Sequence, residues 1–289
     1  MSYDIYTGLL KAFELPTAIK SDVKFAYDNS HPKLDRLKST YPIEAVAGDG
    51  DDFSKAVNLL KWVSGHIYHK SDYVGSTPCN ALDLLDYAYD KGSANGINCV
   101  CLATILTESL LAIGLKARTI FIFPCSPYDG DNHCVTHVYA KEINKWVMID
   151  PTYNAYITNN QGQPLSLVEI RNHLANQEPV FFSAEAKYND DEWTNESAKA
   201  GIEYYAKDSF YYQTSELSAF DSRTITGNRT ITLCPQGYNA QQVRVSNIDY
   251  RIKVYGSRYF DEAFMLKLRE EEAQREYHYC STTDFEATN

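Results

Sequence analysis

The chain has no apolar run approaching the length that spans a bilayer, which excludes a transmembrane helix. Its first residues, Met1-Ser-Tyr-Asp-Ile-Tyr-Thr, carry neither a basic segment nor an apolar one, so no secretory leader is expected. Positive charge is in deficit. Thirty-eight acidic residues against 27 basic ones leave a net charge of −11, which argues against nucleic acid or an anionic membrane as a partner. The seven cysteines, Cys79, Cys99, Cys101, Cys125, Cys134, Cys234 and Cys280, are odd in number and show no disulfide-framework spacing. A reducing compartment, and hence the cytoplasm, is the expected location. There is no internal repeat and no low-complexity tract. With 44% hydrophobic and 22% charged residues over 289 positions, this is the composition of a soluble globular protein with a substantial core.

Within that ordinary background one stretch, Gly96 to Thr152, concentrates reactive side chains. Leu102, Ala103, Leu106, Leu110 and Ile113 recur at helical spacing, so a helix is predicted over about 99–113. Asn98 serves as its N-cap and Gly114 as its stop. Cys99 then lies in the first turn, where unpaired N–H groups and the helix dipole favour an anion and offer donors to a developing oxyanion. Cys101, roughly 200° further round, is expected to face away from the same cleft. Downstream, Val135, His137 and Tyr139 alternate on one side of a predicted strand, and Trp146, Met148 and Asp150 on one side of the next. A hairpin turning between Ile143 and Asn144 would pair 142 with 145 and set His137 opposite Asp150. Directly opposed Cβ atoms lie about 4.5–5.5 Å apart, close enough for a carboxylate to hold an imidazole. Cysteine, histidine and aspartate are the set that thiol nucleophilic catalysis uses.

Gly-x-x-Cys99-x-x-x-Ala103, Gly114-Leu-Lys-Ala-Arg118, His137-Val-Tyr and Trp146-x-x-x-Asp150-Pro-Thr occur in order. Together they resemble the transglutaminase-like superfamily over roughly residues 53–152. The resemblance implies an α+β, papain-like core in which a nucleophile-bearing helix packs on an antiparallel sheet, with Cys99, His137 and Asp150 as the catalytic triad. It implies acyl transfer from a peptide or side-chain amide of a protein or peptide substrate through a thioester, and no cofactor. Hydrolysis, by a cysteine peptidase or deamidase, is the expected outcome. Crosslinking to an amine, as in a protein-glutamine transglutaminase, and a non-catalytic binding scaffold are the alternatives. No counterpart of the family's oxyanion-hole side chain stands out, because Trp62 sits in a helical pattern and reads as core.

Other motifs weigh less. Asp49-Gly-Asp-Asp52 lacks the further ligands and the closing glutamate of an EF-hand and reads as a helix N-terminus. Cys99, Cys101, Cys125, His133, Cys134 and His137 could ligate zinc, but the tight Cys-x-x-Cys pair of a structural site is missing. The Arg-Gly-Gly-x-Cys lead of arylamine N-acetyltransferases is also missing. Residues 1–47 read as a lead-in packed on the core, 48–183 as the catalytic core and 184–289 as an α/β extension of unassigned role. In that extension 202–212 is predicted helical, 230–233 and 250–255 strands, and Phe260 to Tyr277 a charged helix. The polar 124–133 loop is expected to border the cleft.

Overall fold

The computed structural model describes residues 4–256 and 261–288; Phe260, the expected start of the last helix, lies outside them. The N-terminal region supplies α1 (Asp4–Ala12), β1 (Ala26–Tyr27), α2 (Pro32–Thr40) and α3 (Ile43–Ala47). Next comes α4 (Asp52–His66), where Asp51 caps the helix by accepting from the Ser54 N–H at 2.7 Å, the role expected of the acidic run. Trp62 is buried in it. After α5 (Ala81–Ala88) comes α6 (Cys99–Ala112), whose N-cap Asn98 accepts from the Cys101 N–H at 3.1 Å. Gly114, at φ 85°, ends that helix in a conformation that suits a residue without Cβ.

Strands β2 (Ala117–Phe123), β3 (His133–Ala140), β4 (Lys145–Asp150) and β5 (Ala155–Thr158) form an antiparallel meander. There follow α7 (Leu167–Ala175), β6 (Phe181–Phe182), α8 (Asn195–Asp208), β7 (Tyr211–Ser215), β8 (Leu217–Ser218), β9 (Thr230–Leu233), α9 (Ala240–Tyr255), α10 (Glu262–Gln274), β10 (Tyr277–Tyr279) and α11 (Thr282–Phe285). Among the described residues the main sheet has eight strands in the order β10-β9-β7-β2-β3-β4-β5-β6, all antiparallel except the β9–β10 pair. The fold is α+β, with a mostly antiparallel sheet. Residues beyond 184 contribute three of its strands, so one sheet runs through both the expected core and the expected extension. Two elements differ from expectation. Helix α8 ends at Asp208 and Tyr211 begins a strand, and 250–255 is the end of α9 rather than a strand. Tyr250, Ile252 and Val254 alternate with polar residues as a half-buried strand would, but the Asn239 cap upstream sets helical geometry. No helix among the described residues is long and apolar enough to cross a membrane.

Apolar side chains pack both sheet faces. Val138, Val147 and Ile149 join the cluster that contains Leu102, Ile105 and Leu106 of α6. Val135 and Met148, on the opposite face, join Leu167, Ile170 and Tyr205 from α7 and α8. Glu108 ties α6 to its surroundings. Its buried carboxyl accepts from the Ala81 N–H at 2.7 Å and the Asp221 N–H at 2.8 Å, and burial pushes its pKa up to about 8 against the pull of those donors. Removing it strands two backbone donors, at about 1–3 kcal/mol each. Glu108→Ala is therefore expected to lower the unfolding free energy in urea by roughly 2–5 kcal/mol; a loss below about 0.5 kcal/mol would contradict this role.

Candidate active site

The first turn of α6 opens onto a cleft of about 1020 Å³ lined by Asn98, Cys99, His133 and His69, among others. Cys99 is half-buried at its edge. Backbone N–H groups of a first helical turn have no intrahelical acceptor, and Asn98 takes only that of Cys101. Cys101 is buried yet also lines this cleft, because the cavity wraps around the helix start. The expectation that the two thiols could not share a cleft is corrected accordingly.

Asp150, at the end of β4, is fully buried. Its Oδ2 accepts from the Tyr205 hydroxyl at 2.6 Å and lies 2.7 Å from Nε2 of His133, while Oδ1 accepts from the Thr152 N–H at 2.8 Å. Burial works against the carboxylate, but His133 and these donors outweigh it and hold the group below the usual range. His133 is the counterpart. Burial disfavours its charge, yet the Asp150 charge and hydrogen bonds to Asp150 and Cys99 raise its pKa well above the ordinary histidine value. Because Nε2 is committed to Asp150, Nδ1 is the ring nitrogen left for the Cys99 thiol.

The imidazole that meets Asp150 is therefore not that of His137, and the physical reason is the hairpin turn. Ala140, not Glu142, pairs with Lys145. A turn of 3-10 helix at Lys141–Ile143 and Asn144 in the left-handed region (φ 50°) form the loop. It is pinned to the start of α4 by Glu142, which accepts from the Phe53 N–H at 2.8 Å. The two-residue shift preserves which side chains share a face but changes their neighbours. Continuing the ladder past Thr136–Ile149 sets Val135 opposite Asp150, and His133 takes the diagonal place. His137 is instead fully buried beside two donors. The Arg118 guanidinium lies 3.3 Å from its Nδ1 and the Leu167 N–H 3.4 Å from its Nε2. Burial and then the Arg118 charge push its pKa well below normal, so it stays neutral. It stacks on Trp146 with ring centroids 5.3 Å apart.

Three contributors were not legible as site residues. Tyr205 comes from α8, in the third of the chain with no assigned role. His69, bridged to Ile97 just before α6, is buried in the cleft wall with Nδ1 2.9 Å from the Tyr188 hydroxyl. Burial, then the charge on His133, lowers its pKa to about 4, so it is a neutral imidazole at physiological pH. Cys79 also lines the cleft, 3.6 Å from an Arg223 nitrogen; a hydrogen bond from Cys101 and the Arg223 charge hold it below the usual thiol range. Among the described residues no group of three or more His, Cys, Asp or Glu side chains is arranged to hold a metal ion.

With this geometry in view, comparison with protein families matches residues 39–151 to the transglutaminase-like superfamily. That stretch is similar to a transglutaminase-like core. It contains Cys99, His133, His137 and Asp150 and ends at Pro151, so Tyr205 reaches the transglutaminase-like core from outside it. Comparison with curated proteins and with solved structures returned no match.

The two histidines of β3 make opposite titrations the clearest test. His133 is raised above 6.5, so its contribution to stability is complete below that pH and fades as pH climbs through its folded value. Asp150 is lowered below 3.8, so its share holds above that pH and is lost as acid protonates it. Ring-proton NMR should show His133 titrating above 6.5 and His137 below it, with Asp150→Asn moving His133 downward. The reverse order would refute the assignment.

Proposed function

We propose that this protein is a thiol acyl-transfer enzyme that hydrolyses peptide or side-chain amides of a protein or peptide substrate, with Cys99 as nucleophile, His133 as acid and base, and Asp150 orienting His133. The observation that carries this reading is the buried His133–Asp150 pair at 2.7 Å, facing the cleft where Cys99 heads its helix. His133 replaces His137 of the sequence expectation.

Chemically, the Cys99 sulfur attacks the amide carbonyl and its C–S bond forms as the carbonyl oxygen becomes an oxyanion. First-turn N–H groups of α6 point into this region. His69 supports the same role. His69 lines this cleft as a neutral ring with Nδ1 2.9 Å from the Tyr188 hydroxyl, and in the tautomer that accepts there its Nε2 carries a hydrogen free to donate. The oxyanion collapses, the C–N bond breaks, and the His133 imidazolium gives its Nδ1 proton to the departing amine. His133 then takes a proton from water, whose oxygen attacks the thioester; the C–S bond breaks, releasing a carboxylic acid and the Cys99 thiolate beside the regenerated His133 imidazolium. Water is favoured over an amine as acceptor because Gly130, Asp131 and Asn132 form a polar rim on the open cleft. All seven cysteines are free, which supports placing the protein in the cytoplasm.

Mass spectrometry of a peptide-amide library, incubated with and without millimolar primary amine, is the test. Carboxylate product is expected at a rate little changed by the amine. Asp150→Asn and His133→Ala are each expected to lower turnover by roughly three to four orders of magnitude. Dominant amine incorporation would make the protein a transglutaminase, and full activity in His133→Ala would end the proposed triad.

A further inference from the structure

The cleft wall facing Phe121 is built from arginine on a chain with a large excess of acid. Arg223 lies with its guanidinium carbon 5.7 Å from the Phe121 ring centroid, and Arg244 5.1 Å from that of Phe123. The two rings stack with centroids 6.2 Å apart at 11°, and Tyr211 stacks on Phe123 at 4.7 Å. Neighbouring rings of β2 thus each carry a guanidinium, and both arginines line the cavity that holds Cys99. Cation–π contact steadies a guanidinium without consuming its in-plane N–H donors.

Those donors are largely unspent. Arg229 is bound by Asp22 at 2.9 Å and Glu216 at 2.5 Å, and Arg269 by Asp249 at 3.0 Å. Neither Arg223 nor Arg244 has an ion pair with a carboxylate among the described residues; Arg223 reaches the Cys79 sulfur at 3.6 Å and Arg244 the Asn247 side-chain oxygen at 3.2 Å. Their placement relative to the nucleophile is fixed. The turn bearing Arg223 follows Asp221, whose N–H is held by Glu108 of the Cys99 helix at 2.8 Å, and Asn247 donates to the Pro127 carbonyl at 3.1 Å, anchoring α9 to the cleft-rim loop. The carboxylates of the cavity come from elsewhere: Asp131 is shared with Lys207 at 3.3 Å, and Asp191 and Glu192 lie on the run into α8. The cleft is therefore polarised, with arginines that no carboxylate ion-pairs among the described residues lying over the β2 rings.

We propose that Arg223 and Arg244 bind a carboxylate of the substrate, so that the amide presented to Cys99 belongs to an acidic peptide. This rests on the amide-hydrolase reading for its consequence but not for its test, because binding is measured without turnover. The carboxylate is an Asp or Glu side chain near the attacked amide, or the free C-terminus of a peptide. Guanidinium and carboxylate form charge-assisted, bidentate pairs, and two such cations lining one cavity select against the isosteric amide.

The probe is a set of fluorescein-labelled octapeptides in an alanine–glycine–glutamine frame. A single Glu or Gln is walked through each position, and each peptide is made with a free or an amidated C-terminus. Affinity is read by fluorescence polarisation on full-length Cys99→Ala protein. At one position or at the free terminus, the acid is expected to bind about tenfold or more tighter than its neutral isostere, with a preference that shrinks as salt is raised. Arg223→Gln and Arg244→Gln should each reduce that ratio several-fold, and Arg244→Lys should restore part of it. Circular dichroism confirms that each variant is folded. A Glu position that shows the preference identifies the side-chain source, and a free terminus the other. Equal affinity for acidic and neutral peptides throughout, or a preference that survives both glutamine substitutions, overturns the proposal. If the acidic peptides bind as expected and none is cleaved by the wild-type protein, the hydrolase reading fails while the anion site stands.

Discussion

A carboxylate taken out of water costs several kcal/mol unless donors replace its hydration, and Asp150 has no exposed surface. Its replacement shell draws on separate parts of the chain: His133 at the start of β3, the Thr152 N–H just past β4, and Tyr205 from α8. The donor shell of Asp150 is thus not complete within the stretch 39–151 that matches the transglutaminase-like superfamily. Helix α8 must dock for Asp150 to be stable as an anion, and Asp150 must be an anion for His133 to hold a proton in a buried place. That chain of dependence gives the C-terminal third a structural reason to share one sheet with the core.

The same strand face offers a control built into the protein. His133 and His137 lie four residues apart on β3 and are both buried. One meets an anionic acceptor and is held charged; the other meets a guanidinium and a backbone N–H and is held neutral. Arg118 belongs to the second arrangement. It is buried among the rings of Phe25, Trp146 and Phe285, each 4.3–4.5 Å from its guanidinium carbon. Neighbours rather than residue type separate a charged histidine from a neutral one, and strand alternation alone gives no reason to prefer one over the other.

That is where reading the residues reached its limit. Local signals served well. Asn98 capped α6, Gly114 stopped it, and Asp51 began α4 as the acidic run suggested. The α+β class and the pairing of β3 with β4 were likewise legible, since both follow from periodicity. The register was not, because a two-residue turn and the observed loop give the same face pattern. Asn144, a residue tolerant of left-handed geometry, was the local hint toward the longer loop. Tyr205, His69 and the cleft arginines depend on contacts between distant segments, such as the 55 positions separating Tyr205 from Asp150, which no periodicity encodes.

In the proposed triad Cys99 acts with His133 and not with His137. Limiting iodoacetamide followed by peptide mapping measures this directly as the alkylation rate at Cys99 in wild type, His133→Ala and His137→Ala. The Cys99 rate near neutral pH is expected to fall by roughly tenfold or more in His133→Ala and to stay near wild type in folded His137→Ala. An unchanged Cys99 rate in His133→Ala, with the loss appearing in His137→Ala instead, would contradict it.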